Sequence, residues 1–414
     1  VSALRAPADP VAAALHAAWR GADPGPTPSA ARPPAARRWP GPVHPLERAP
    51  GRGAGALLDL ALAADPDRVT GGVRLRRVPS AGGRYPVEAH LVDSGTVWRY
   101  DPLRHALCAP AATDHPGTAV VLGLVPARTV WRYGPRALPV LLLDLGHAVA
   151  ALGAAASACG LRARALLAPG PELARAARLP WRDGAVRWPG AAPEYPLAVV
   201  SLEAGPPGRE ADAVRPAPAI GRAAPSPRPP AAEWEGAPPP QVDGAAAQMV
   251  AAALARLCAA PAAEPPLPAD TVGPAVLLER RSAPWAALAS RPDAPSPDPA
   301  PVLAAAAAHL GADRVVCLDP RGHAEALAAL APRSCGQPAV AEADRLLLLL
   351  GSPAAGPHTL SEHVGAGAAA HAAWLAAAAQ RRPARPVGCW IDTLLSTPHG
   401  RRRVLHALAL GPAA

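Results

Sequence analysis

At 414 residues, half of them apolar, the chain is long enough for two domains and a sizeable core, and its formal charge of +9 rests on arginine alone, since lysine is absent. Phenylalanine and asparagine are absent too, the mark of a GC-rich coding sequence, so runs of Ala, Pro and Gly carry less meaning than usual. The arginines are scattered, without the basic stripe and interleaved aromatics of a nucleic-acid binder, and the six cysteines form no CxxC pair, which argues for reduced thiols in a cytoplasmic protein and against zinc.

Residues 1–50 are rich in Pro, Ala and Arg, with one predicted helix at Val11–Arg20 and no basic-then-apolar secretion pattern. A first domain is expected over 51–203. It opens with a helix at Ala54–Ala63, and the β-rich stretch Val73–Leu103 follows, with a Ser94-Gly95 hairpin turn between "VEAHLVD" and "TVWRYD". "TAVVLGLV" reads as a strand. Leu138–Leu161 is the most hydrophobic segment, but Asp144 and His147 argue against a membrane span. It is expected to be a strand end or loop leading into a buried helix that stops at Gly160. "YPLAVVSLE" closes the domain as a strand.

Residues 204–244 are proline-dense and aperiodic, and read as a linker. A second domain, 245–414, begins with predicted helices at Ala245–Ala259, Val272–Arg281 and Val302–Leu310. A strand at Arg314–Leu318, a helix, the strand "DRLLLLLGS" and an alanine helix over Gly365–Gln380 come next. "GCWIDTLL" and a final helix end the chain. Two α+β domains in tandem are the plain reading. An echo between "TVWRYDPLRHAL" and "DRVVCLDPRGHAEAL", each a strand, an Asp-Pro turn, a His and a helical restart, fits a duplication.

Two stretches carry chemistry. "PSAGG", Pro79, Ser80, Ala81, Gly82 and Gly83, is a small-residue turn whose amides can approach a flat or anionic ligand, although an ordinary tight turn has the same composition. In "TVWRYGPRALPVLLLDLGHAVAALG", Arg132 adjoins Tyr133, and a neighbouring cation favours the phenolate. Asp144 and His147 are placed at a helix entrance, where a lone His is usually structural. The sequence "GAGAAA" at Gly365 sits inside a helix and is discounted as a dinucleotide loop, while His358 and His363 lack a third metal partner.

Taken together, "RRVPSAGGRYPVEAHLV", "GTVWRYDPLRHAL", "WRYGPRA", "LDLGHAVAALGAAASACGL" and "EYPLAVVSL" resemble, in order and spacing, the nitroreductase-like flavoproteins, and more narrowly the SagB-type azoline dehydrogenases. The second half resembles them through "LLERRSAPW", "CGQPAVAEADRLLLLLG", "GAGAAAHAAWLAAAAQ", "PVGCWIDTLL" and "LHALALG".

The resemblance implies an intramolecular pseudo-dimer of two nitroreductase-like, FMN-binding α+β domains, with one competent site and one degenerate. Pro79 to Gly83 from one half would line the flavin. From the other half, Arg280 or Arg281 would meet its phosphate or N1–O2 edge, Ser282 would donate a hydrogen bond, and Gly388 and Cys389 would complete the site. Tyr133 would act as base, with Arg132 stabilising its phenolate, because arginine itself stays protonated. Where relatives carry Lys-Tyr and a second arginine, this chain has Arg132-Tyr133 and Pro284. The implied activity is FMN-dependent oxidation of thiazoline or oxazoline rings in a precursor peptide supplied by a cyclodehydratase, without nucleic acid, membrane or metal. A nitro, quinone or enone reductase using NAD(P)H and a flavin-free scaffold subunit remain alternatives.

Overall fold

The computed structural model describes residues 9–21, 28, 32–39, 41–48, 51, 53–115, 117–167, 170–177, 179, 192–204, 244–267, 272–291 and 297–412. Apart from its end residues, the expected linker lies outside them.

Helix α1 (Pro10–Arg20) and strand β1 (Val43–Pro45) lead into α2 (Ala54–Ala61) and the hairpin β2 (Ala64–Thr70) and β3 (Val73–Arg76). Then come β4 (Val87–Asp93), β5 (Thr96–Asp101), β6 (Ala106–Ala112), β7 (Thr118–Leu124), α3 (Pro126–Tyr133), α4 (Ala137–Ala158), β8 (Leu161–Leu167), α5 (Gly170–Ala176) and β9 (Tyr195–Ala204). The second half has α6 (Gly244–Cys258), α7 (Pro274–Glu279), α8 (Ala300–Leu310), β10 (Val315–Leu318), α9 (Pro320–Leu330) and β11 (Arg345–Gly351). It closes with α10 (Thr359–Ala379), β12 (Ala384–Val387), β13 (Leu394–Thr397) and β14 (Gly400–Leu410).

The first sheet runs β1-β6-β5-β4-β7-β9-β8 and the second β10-β11-β14-β12, with β13 beside β14. Both contain one path. The antiparallel pairs β4-β7 and β10-β11 are each followed by a long helix, α4 or α10, after which the chain enters the far strand, β8 or β12, and returns to the third, β9 or β14. The path shared by the two sheets is a stronger repeat than the sequence echo.

Helices α4 and α10 meet at backbone distance. A Cβ on Gly146 would lie 2.1 Å from the Val364 carbonyl oxygen, and one on Gly367 2.2 Å from that of Leu143. Only glycine permits this approach. The "GAG" of residues 365–367 is therefore a helix crossing, in keeping with its dismissal as a dinucleotide loop.

Several expectations are corrected. Leu138 to Asp144 is helical from the start, so Asp144 and His147 lie inside α4, one turn apart. A leucine-rich run buried on every side has no amphipathic signature, so its hydropathy fits a strand equally well. The stretch Pro126–Ala158 is long and apolar enough to cross a membrane by composition, but 94% of its most apolar window is buried inside the protein. The final helix is instead β14, wedged between β11 and β12. Its Leu-Ala alternation carries little propensity for either state, and pairing decides. The alanine helix starts at Thr359, earlier than expected.

The Asp-Pro echo holds for the strand and the turn, but not for the helical restart. Asp101 Oδ1 accepts from the Leu103 and Arg104 amides, and Asp319 Oδ1 from those of Arg321 and Gly322. After that turn the first half enters β6, not a helix.

Candidate functional site

The Pro79–Gly83 turn joins β3 to β4. Gly82 and Gly83 have φ of +58° and +62°, in the left-handed region. The turn is tied down by α4. Ser80 Oγ donates to Asp144 Oδ2 at 2.6 Å, the Ala81 amide donates to Asp144 Oδ1 at 3.1 Å, and Ser80 Oγ accepts from the Tyr85 amide at 2.8 Å. Burial pushes the Asp144 carboxyl up to about 7, against the pull of these two donors. Tyr133 packs on the same turn, since a Cβ on Gly82 would lie 3.1 Å from its Oη.

The second half supplies the facing wall. Arg280, just past the end of α7, lays its guanidinium 4.1 Å from the Trp374 ring centroid and donates to the Arg77 carbonyl of the first half. Ser282 bridges Ala384 at the start of β12, and Gly388 and Cys389 follow that strand. One cavity is lined by Pro79, Ser80, Ala81, Gly82, Gly83, Tyr133, Arg280, Ser282, Gly388 and Cys389 together. The early turn and the late Arg-Ser pair, some 200 residues apart in the chain, thus share one crevice.

Two expected residues lie elsewhere. Arg281 donates to the Leu278 carbonyl and pairs with Asp65 at 3.8 Å, away from the cavity lining. Arg132 does not line it either; its Cζ lies 5.5 Å from the Tyr133 ring centroid. The expected lowering of the Tyr133 pKa is reversed. Burial raises it well above the ordinary phenol value, and the Arg132 charge does not offset that. Tyr133 stands at the cavity as a phenol.

Other lining residues were missed. Arg68, Arg76 and Arg385 join Arg280, and Asp144 is the sole carboxylate among the described lining residues, so the cavity is cationic. Trp374, His147 and His406 also line it. The i, i+3 spacing of Asp144 and His147 would have flagged one face, had α4 been recognised as helical from Ala137. No cluster of three His, Cys, Asp or Glu suited to a metal is found among the described residues.

The helix crossing also shows what became of the pseudo-equivalent position. Residues 143 and 146 of α4 meet 364 and 367 of α10 reciprocally, so Asp144 corresponds to Gly365. A Cβ on Gly365 would lie 3.4 Å from Leu310 Cδ1 and 3.8 Å from the His309 carbonyl oxygen, at the end of α8. Where the first half presents a tethered turn, the second packs a helix and lacks the carboxylate.

No protein-family model matches the chain, and no curated protein matches it. Among solved structures, one described as a nitroreductase from Anabaena variabilis aligns at a TM-score of 0.57 and 16% identity, covering 87% of each chain. One described as a nitroreductase from Ralstonia eutropha aligns at a TM-score of 0.29 and 18% identity over 42% of this chain and 93% of that one. The E. coli microcin synthetase McbBCD complex with truncated pro-MccB17 bound aligns at 0.26 and 19% over 40% and 68%. The first alignment shows a nitroreductase-like α+β fold spanning both halves.

Proposed function

We propose that the chain is an FMN-dependent dehydrogenase that oxidises thiazoline or oxazoline rings of a precursor peptide to thiazoles or oxazoles, acting after a cyclodehydratase. The observation that carries this reading is the joint cavity, with the Pro79–Gly83 turn on one wall and Arg280 and Ser282 on the other. The residues fit the cofactor. Glycines without side chains line one wall, Trp374 backs Arg280, and four arginines against one carboxylate suit a planar ligand bearing a phosphate.

FMN, when bound, would supply a hydride acceptor that molecular oxygen can regenerate. Arg280 would place positive charge beside the ring edge that gains electron density on reduction. Ser80 and Asp144 hold the turn that would orient the ring face. Tyr133, at the end of α3 and packed on that turn, would donate a hydrogen bond to the azoline and relay the ring proton, accepting it on oxygen as its own proton passes to solvent water in the cavity. Arg132 has no direct part.

The test is incubation of FMN-loaded protein with an azoline-containing peptide. A loss of two mass units that requires FMN is expected. Rapid NAD(P)H oxidation with a small nitro or quinone acceptor, and no change in the peptide, would replace this reading with the reductase. Protein that binds no FMN would favour the scaffold.

A further inference from the structure

Three histidines meet where the two halves join behind the cavity: His147 of α4, His371 of α10 and His406 of β14. They are 3%, 2% and 2% exposed. His147 Nε2 and His406 Nε2 lie 2.9 Å apart, and the His371 ring packs edge-on to His147 with centroids 5.7 Å apart.

The proton positions follow from the neighbours. His406 Nδ1 lies 2.9 Å from the Val387 carbonyl oxygen, which only accepts, so that ring carries its proton on Nδ1. In this tautomer the Ala407 amide, 3.0 Å from the same nitrogen, meets a second donor, whereas the other tautomer sets two acceptors 2.9 Å apart at Val387. His406 Nε2 is then a bare acceptor, and His147 Nε2–H donates to it. His147 Nδ1 is left as a lone pair, buried and without a hydrogen-bond partner. A buried acceptor of this kind is costly unless a ligand completes it.

His147 and His406 both line the cavity, as does Arg280. Burial first, then His406, His371 and the Arg280 charge, hold His147 well below the ordinary histidine value, which keeps it neutral. An unpartnered buried acceptor and a cationic donor thus belong to two residues of one wall.

We propose that His147 Nδ1 and Arg280 together read the pyrimidine-dione edge of the cofactor, His147 accepting from its imide N–H and Arg280 donating to the adjacent carbonyl. This rests on the FMN reading above and deepens it. An isoalloxazine offers that complement, N3–H beside C2=O, and the oxidised ring has no other N–H.

The experiment titrates wild-type protein with FMN and with 3-methyl-FMN, in which a methyl group replaces the N3 hydrogen, reading flavin fluorescence. FMN is expected to bind about tenfold more tightly or better, the loss of one buried hydrogen bond. His147→Ala, which removes the acceptor and makes room for the methyl, is expected to bind the two alike. A second measurement needs no variant: with FMN labelled at N3, the N3–H resonance of the wild-type complex is expected to exchange slowly with solvent. Equal wild-type affinities, discrimination that persists in His147→Ala, or a rapidly exchanging N3–H each overturn the assignment and leave FMN binding intact. Failure to bind either flavin overturns both.

Discussion

Ser80 Oγ lies 2.6 Å from Asp144 Oδ2, and this bond ties the turn before β4 to the helix that meets the second half. An amide keeps only part of this tether. Its oxygen can accept from the Ala81 N–H, but its NH2 must then donate to Ser80 Oγ, on the lone pair the Tyr85 amide leaves, and the charge-assisted bond from the Ser80 hydroxyl is lost. Asp144→Asn is expected to weaken FMN binding about tenfold while leaving the circular dichroism spectrum unchanged. Unaltered affinity would mean that the tether does not position the cofactor.

Tyr133 and Arg132 are separable despite being neighbours. Tyr133→Phe should lower peptide turnover about 100-fold with FMN retained, because only the proton-carrying oxygen is lost. Arg132→Ala should change turnover by less than about threefold, as its charge does not bring the phenol down. A large loss for Arg132→Ala would restore it to the mechanism.

The helix crossing leaves no room for a methyl group. Gly146→Ala and Gly367→Ala each put a Cβ near 2 Å from a carbonyl oxygen, 2.1 Å and 2.2 Å respectively, and should cost about 3 kcal/mol or more. Gly365→Ala, at 3.4 Å from a side-chain methyl, should be far milder. Urea unfolding of the three variants ranks them.

Acid stability should depend on Glu194. It is fully buried and meets Arg37 Nη1 at 2.8 Å and His90 Nε2 at 2.6 Å. Burial alone would raise its pKa, but His90, Arg37 and Arg99 outweigh that and hold it at about 2, below its ordinary 4.5. A depressed carboxyl stabilises above the unfolded value and loses that contribution as pH falls through the folded one. Wild-type urea midpoints should therefore drop between pH 4.5 and 2, and Glu194→Gln should be less stable at neutral pH with a flatter profile over that window.

Asp144 has the opposite sign. Its carboxyl is raised from 3.8 to about 7, so the folded state holds its proton more tightly and that contribution fades as pH rises between those values. Asp144→Asn should flatten this leg of the profile. An unchanged leg would show that Asp144 is not its source.

Local signals carried a good deal of this protein. A hairpin turn between β-rich runs located β4 and β5, short apolar runs located β7, β9 and β11, and the Pro79–Gly83 turn stood out because small residues with two glycines constrain the backbone wherever they occur. The order of short motifs also pointed to a fold in which distant segments meet. Where apolar composition was uniform, as in Leu138–Asp144 and the final strand, the residues left helix and strand undecided, because neither period is visible when every face is buried.

Tertiary structure alone decided which charges face the cavity and in what state. Arg280 faces it while its neighbour Arg281 does not. Tyr133 stays protonated beside a cation, and Asp144 and His147 fall on one wall only because α4 is continuous. Proton affinity follows from solvent exclusion and through-space distance, and neither is a property of adjacent letters in a chain.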